Sequence, residues 1–107
     1  MDKKLISIAN DFSRFPAGRY YADGPYTGQK FREEFLVPAF KNANHVIVNI
    51  DDTLGYGSSF LEEAFGGLIR EHNMSYEDIK AKLEIIGTVE TYKNRIWTYL
   101  MNARPKK

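Results

Sequence analysis

A chain of 107 residues can bury one hydrophobic core but hardly two, and 43% hydrophobic with 27% charged residues is a folded rather than a disordered composition. The formal net charge of +1 singles out neither a polyanionic nor an acidic partner. The absence of cysteine excludes disulfides, thiolate nucleophiles and Cys-ligated zinc, and it fits the cytosol. The apolar stretch Leu5 to Ala9 is too short for a signal peptide, and no later run approaches the ~20 residues of a membrane span, so a soluble cytoplasmic protein is expected.

Lys4 to Ala9 alternates around Leu5, Ile6 and Ile8 and reads as a strand. Phe12 to Gly18 is a turn punctuated by Pro16 and Gly18. Arg19-Tyr20-Tyr21 reads as a second strand, antiparallel to the first, ended by the turn signal Asp23-Gly24-Pro25. Thr27 is placed to cap a helix through Phe40 with Phe31, Phe35, Leu36, Ala39 and Phe40 at helical spacing, and Pro38 to kink it or open its last turn. His45 to Ile50 is β-branched and apolar, as a strand covered on both faces should be.

A glycine-punctuated loop then leads into a helix over Ser59 to Glu71 with Phe60, Leu61, Ala64, Phe65, Leu68 and Ile69 inward. Ser75 caps a short helix to Lys80, Ala81 to Ile86 is a strand, and Thr88 to Ala103 is a last helix with Ile96, Trp97, Leu100 and Met101 inward. Only Arg104 to Lys107 looks frayed. The order predicts a single α/β domain (1–107, core about 4–103) with a four-stranded mixed sheet, its N-terminal strands antiparallel.

The chemistry-bearing residues gather between Asn49 and Arg70. Asn49-Ile-Asp-Asp-Thr nearly matches the Asp-x-Asp-x-Thr signature of haloacid-dehalogenase-like phosphatases, but Asn49 stands where that chemistry needs a carboxylate nucleophile. Asp51 and Asp52 lack a third acid, so no metal and no cofactor is assigned. Gly55-Tyr56-Gly57-Ser58-Ser59 could accept an anion on its backbone N–H groups, though the Lys of a P-loop is missing. Ser59-Phe60-Leu61-Glu62 fits a capping box. Gly66-Gly67 inside a helix points to close packing against the sheet, or to a flat helix face on which a partner lies. His45 and His72 have no second ligand or nucleophile in reach of argument. Between Thr88 and Lys107 five Lys/Arg face the single Glu90, but aromatics at helical spacing there read as core, so nucleic acid is set aside.

The corner resembles the segment of STAS domains, the fold of bacterial anti-sigma factor antagonists, in which a strand ends in acidic residues and a loop presents a phosphorylatable Ser or Thr at a helix start. Of the two, the closer resemblance is to the STAS-like family of unknown function. The likeness lies in Phe12-Ser-Arg-Phe-Pro-Ala-Gly-Arg-Tyr20, Asp23-Gly-Pro-Tyr-Thr-Gly28, Phe31-Arg-Glu-Glu-Phe-Leu-Val-Pro38 and Ser58-Ser-Phe-Leu-Glu-Glu-Ala-Phe-Gly-Gly-Leu68.

The resemblance implies a non-enzymatic regulatory module that binds a histidine-kinase-like ATPase, with Ser58 or Ser59 as the candidate phosphoacceptor. Its expected surface comprises Asp51, Asp52, Gly55, Tyr56, Gly57, Phe60, Glu62 and Glu63. A phosphate there would add about −1.5 to −2 of charge beside those acids and eject a partner. The alternative is a nucleotide or small-molecule module using the glycine loop with Arg14, Arg19, Asp23 and Arg32.

Overall fold

Three short runs of aliphatic residues line up side by side. A computed structural model describes residues 2–106, with β1 (Lys3–Ser7), β2 (His45–Asn49) and β3 (Leu83–Ile86) in one sheet of order β1-β2-β3. Both pairings are parallel, with Lys3 beside His45, Ser7 beside Asn49, Val46 beside Leu83 and Asn49 beside Ile86. Parallel neighbours need a long crossover, and helical segments supply it here.

The first crossover carries α1, residues 28–42, which passes through Gly28–Phe31, a wider π-type turn at Arg32–Leu36, and Val37–Asn42. Thr27 Oγ1 accepts from Lys30 N at 3.3 Å, so the expected cap is present. Pro38 has no N–H to donate, and it sits in the first turn after the wider segment. The second crossover carries α2, residues 58–72, with its own π-type turn at Glu62–Gly66, and α3 (Tyr76–Lys82), capped by Ser75 as expected. The last helix is α4 (Glu90–Asn102).

The register puts Ile6, Val48 and Ile85 in one row, and all three are buried. They pack with Phe31 and Leu36 of α1, Leu61, Phe65 and Leu68 of α2, and Ile96 and Leu100 of α4 in one core. Each such side chain contributes roughly 1.5–3 kcal/mol of hydrophobic stabilisation.

Several expectations are corrected. The sheet is three-stranded and all-parallel, not four-stranded with antiparallel N-terminal strands. Residues 19–21 form no strand because their backbone groups are used locally. Ala17 N donates to Tyr26 O, Gly28 N to Gly18 O and Gln29 N to Arg19 O, so this stretch folds onto the start of α1. Asp23 accepts from Tyr20 N at 2.8 Å and closes a 3₁₀ turn at Tyr21–Asp23.

β1 stops at Ser7, where Asp11 accepts from Ser7 N and Ser7 Oγ from Asn10 N, turning the chain through Ile8–Phe12. β2 is covered on one face only. In the next row Leu5, Ile47 and Glu84 face outward, and Leu5 is 61% exposed. Met101 points to solvent, not to the core. Residue 106 is docked rather than frayed, with Lys106 N donating to Arg70 O and Lys106 Nζ to Glu71; Lys107 lies outside the described residues.

Candidate functional site

The loops that follow the three strands meet at the carboxyl ends of the sheet, where open parallel sheets place their binding sites. The loop after β2 is the most constrained. Asn49 Oδ1 accepts from Asp51 N at 2.9 Å, Asp52 takes a left-handed conformation (φ 74), and Thr53 Oγ1 accepts from Gly55 N at 3.2 Å. These short polar side chains offer the backbone local partners in place of a longer strand.

Asp51 is a clasp. Its Oδ1 accepts from both Thr88 N (2.8 Å) and Thr88 Oγ1 (2.9 Å), tying the loop to the segment between β3 and α4. Gly87 permits this approach, since a β-carbon there would lie 2.6 Å from Ile50 Cγ1. Tyr56 OH donates to Ile50 O at 2.7 Å, and its ring stacks on Phe60 and meets Tyr92 edge-on. Burial, with Asp51 and Tyr92 adding to it, pushes the Tyr56 phenol up to about 12. Leu54 N donates to Arg14 O at 2.9 Å, joining this loop to the one after β1.

That bond joins two loops that each carry an exposed apolar side chain the sequence reading did not place in the site. Leu54 is 78% and Phe15 63% exposed, on backbone that is otherwise held. The signal available was a large apolar residue inside each of two polar, Gly- or Pro-punctuated loops, outside any strand or helix period. Asp52, Gly57, Ser58 and Ser59 are exposed as well, while Gly55 is half-buried.

Ser59 is not the cap. α2 starts one residue earlier than expected, Gly57 is its N-cap, and no side chain caps it. Glu62 is unavailable for a capping box because it binds Arg19 and Arg70. Both serines therefore lie in the exposed first turn of α2.

Six expected surface residues are drawn inward, among them Tyr56, which is 6% exposed, and Glu62, half-buried in ion pairs. Phe60 is fully buried in the aromatic cluster with Phe12 and Phe31. Arg32 and Glu63 are 2% and 1% exposed and pair with each other, Arg32 Nη1 lying 2.6 Å from Glu63 Oε2 and 2.8 Å from Glu63 O. Arg19 is half-buried against Glu62 and Glu63. Around this pair Arg70 binds Glu62 and Glu63, Arg32 Nε binds Glu33, and His72 Nε2 lies 2.6 Å from the same Glu33 oxygen.

Burial opposes ionisation of Glu62, but hydrogen bonds from Arg70 and Arg19 outweigh it and hold that carboxyl below its ordinary range; Glu33 is lowered in the same way, by His72 and Arg32 against burial. The glycine pair packs on this network rather than on the sheet. A β-carbon on Gly67 would overlap the Arg32 guanidinium, and one on Gly66 would lie 2.7 Å from Glu62 Oε2.

The nucleotide-binding alternative thus loses two of its three arginines to internal ion pairs, and Asp23 to the Tyr20 turn. Of that set Arg14 is exposed. Among the described residues no group of three or more His, Asp or Glu side chains could hold a metal ion. No helix there is long and apolar enough to cross a membrane.

The family profile described as a STAS-like domain of unknown function (DUF4325) matches residues 27–93. The chain belongs to that family. The match runs from the start of α1 to the first turn of α4 and contains the whole loop after β2 with α2; residues 1–26, including Phe12 to Tyr20, fall outside it. No curated protein and no solved structure matches the chain.

Proposed function

We propose that this STAS-like domain is a non-catalytic regulatory module of the bacterial cytoplasm that docks a protein partner on the corner formed by the loops after β1 and β2 and the first turn of α2. The observation that carries the reading is the exposure of Leu54 and Phe15 on two loops joined by the Leu54–Arg14 backbone bond. Large apolar side chains held out to water on a rigid frame are the anchors that protein interfaces use.

The partner class follows from the STAS resemblance: a histidine-kinase-like ATPase, which would phosphorylate Ser58 or Ser59 and so end binding. Both serines are exposed, and so is Asp52 on the preceding loop, so an added phosphate would meet like charge. A non-catalytic role is supported by the two histidines, which are engaged with Glu84 and Glu33 rather than with a serine. The cytosol is supported by the cysteine-free composition.

The test is co-purification with a histidine-kinase-like ATPase encoded beside this chain, with and without ATP. A complex that dissociates as phosphate appears on Ser58 or Ser59 by mass spectrometry is the expected result. No complex in either condition would overturn docking. A complex indifferent to Ser58→Asp and Ser59→Asp, with no phosphate detected, would remove the switch alone.

A further inference from the structure

Arg19 comes from the loop after β1 and lays its guanidinium against α2. Its Nη1 binds both carboxylates there, Glu62 and, at 3.1 Å, Glu63. Its neighbours fix the direction of approach. Gly28, whose N–H donates to Gly18 O, sits so close to α2 that a β-carbon there would overlap Phe60 O and lie 3.1 Å from Glu63 Cβ. Arg19 therefore reaches the carboxylates from the side of the first turn of α2. Arg70 reaches them from the other side, seven and eight residues further along the helix.

Helical spacing brings a serine to the same place. Ser59 precedes Glu62 by three residues and Glu63 by four, the separations at which side chains meet on one face. At about 100° per residue Ser59 falls between those two glutamates around the helix, whereas Ser58 lies beyond Glu62. Long side chains on a helix lean toward its amino end, so the carboxylates that hold Arg19 bring it over the turn that carries Ser59. Ser59 is exposed and the Arg19 side chain is 31% exposed, so both are open to a modifying group.

We infer that Arg19 reads a phosphate at this corner, and that Ser59 rather than Ser58 is the serine whose phosphate it reads. The phosphate comes from the partner ATPase, so this role of Arg19 rests on the docking proposal. In the transfer Ser59 Oγ bonds to the γ-phosphorus of the partner's ATP, the bond to the β-phosphate oxygen breaks, ADP leaves and the hydroxyl proton passes to solvent. The product carries about −1.5 to −2 of charge and three acceptor oxygens, so it draws the guanidinium away from the singly charged Glu62. The network tolerates that exchange. Glu62 keeps two bonds from Arg70, and buried Glu63 keeps Arg32 at 2.6 Å and Arg70 at 3.0 Å, so no buried charge is left unpaired. Backbone bonds from Gln29 N to Arg19 O and from Gly28 N to Gly18 O hold the loop while the side chain swings.

The test needs no partner. Phosphoserine is incorporated genetically at position 59 or at position 58, and the second ionisation of the phosphate, ordinarily at about 6, is followed by phosphorus NMR. A guanidinium held against the phosphate favours the dianion. Arg19→Gln should therefore raise the midpoint at position 59 by at least about 0.5 and move that at position 58 by less than about 0.2. Arg19→Lys, which keeps the charge but loses the planar fork, should give a smaller rise at position 59 and serves where Arg19→Gln does not fold. A midpoint at position 59 that ignores both substitutions, or an equal response at the two positions, would overturn the role of Arg19 whatever the ATPase does. A midpoint that responds at position 59 alone supports it even where no ATPase binds, in which case only the docking proposal fails.

Discussion

Arg32 on α1 and Glu63 on α2 meet at 2.6 Å with side chains that are each 2% exposed, and the same guanidinium nitrogen also donates to the Glu63 backbone carbonyl. Two opposite charges withdrawn from water cost several kcal/mol to desolvate, so their value lies in specifying one arrangement of the helices. Arg19 and Arg70 extend the pair to the loop after β1 and to the end of α2. The helix that carries Ser58 and Ser59 is therefore set against α1 by charge as well as by packing.

Removing one partner should cost far more than removing both. Arg32→Met leaves Glu63 buried with only Arg70 and Arg19 at 3.0–3.1 Å, and a loss of about 3 kcal/mol in urea unfolding is expected. Arg32→Met with Glu63→Leu restores an apolar contact and should recover at least half of that loss. A double variant no better than the single one would show that the pair does not act as a unit.

Gly67→Ala should destabilise despite the better helix propensity of alanine. The propensity gain is about 1 kcal/mol, but the new methyl overlaps Arg32 and pushes it off Glu63, an overpacking cost of about 1–3 kcal/mol. The matched control is Gly57→Ala, where a β-carbon meets nothing within 4 Å. If Gly67→Ala is stabilising in thermal unfolding, the close approach of Arg32 to Gly67 is wrong.

These helix contacts also show where the sequence was readable. The elements after Thr27 were legible because periodicity and caps act locally: Thr27 and Ser75 cap as their positions imply, and β2 and β3 lie where the aliphatic runs are. The stretch from Arg19 to Tyr21 misled because two aromatics after a turn carry the composition of a strand. Its fate was decided by Arg19 reaching Glu62 and Glu63, more than 40 positions away, which no local pattern records. The same blindness put Arg32 and Glu63 on the expected surface, whereas helical spacing alone had Phe60 inward, where it lies, and only the motif likeness set it on the surface. Motif likeness names a segment, while the period names the apolar side that faces in, as it does for Leu61, Ala64, Phe65, Leu68 and Ile69, but not a charged residue such as Glu63 buried with them. Leu54 and Phe15 were overlooked for the opposite reason, since an apolar residue in a loop fits no period.

Acid should weaken the fold through the carboxylates of this network. Glu62 and Glu33 are held below the ordinary 4.5, so the unfolded chain takes up their protons first as pH falls. Their contribution is complete above the unfolded value and is lost below about pH 4.5 as pH falls toward the depressed folded values. Urea midpoints should therefore hold steady near neutrality and fall below about pH 4.5, less steeply in Glu62→Gln. A wild-type midpoint that stays flat down to about pH 3 would remove the network from the stability of the fold.

Tyr56→Phe should loosen the corner without emptying it. The ring still stacks on Phe60, but the Ile50 carbonyl loses its buried donor at 2.7 Å, a cost of about 1–3 kcal/mol. Hydrogen exchange should quicken in residues 51–57 more than in α4. Uniform quickening would mean that Tyr56 supports the whole core rather than this loop.

Ser58→Asp separates a switch from simple damage, because its two expected effects have opposite sign. Ser58 is the first residue of α2, with Gly57 as the N-cap and no acidic residue among Ser58 to Leu61. A carboxylate there interacts favourably with the unsatisfied N–H groups and the helix dipole, so Ser58→Asp should raise stability by about 0.3–1 kcal/mol. On the docking reading the same charge, added beside exposed Asp52 and a few residues from Leu54, should weaken partner binding at least as much as Leu54→Asp does. Leu54→Asp, at a position 78% exposed, should leave stability within about 0.5 kcal/mol of wild type. Thermal unfolding and a binding isotherm on the same samples decide it. A Ser58→Asp protein that is more stable and still binds fully would leave the helix start as structure only, and a less stable one would mean that the first turn of α2 is not open to charge.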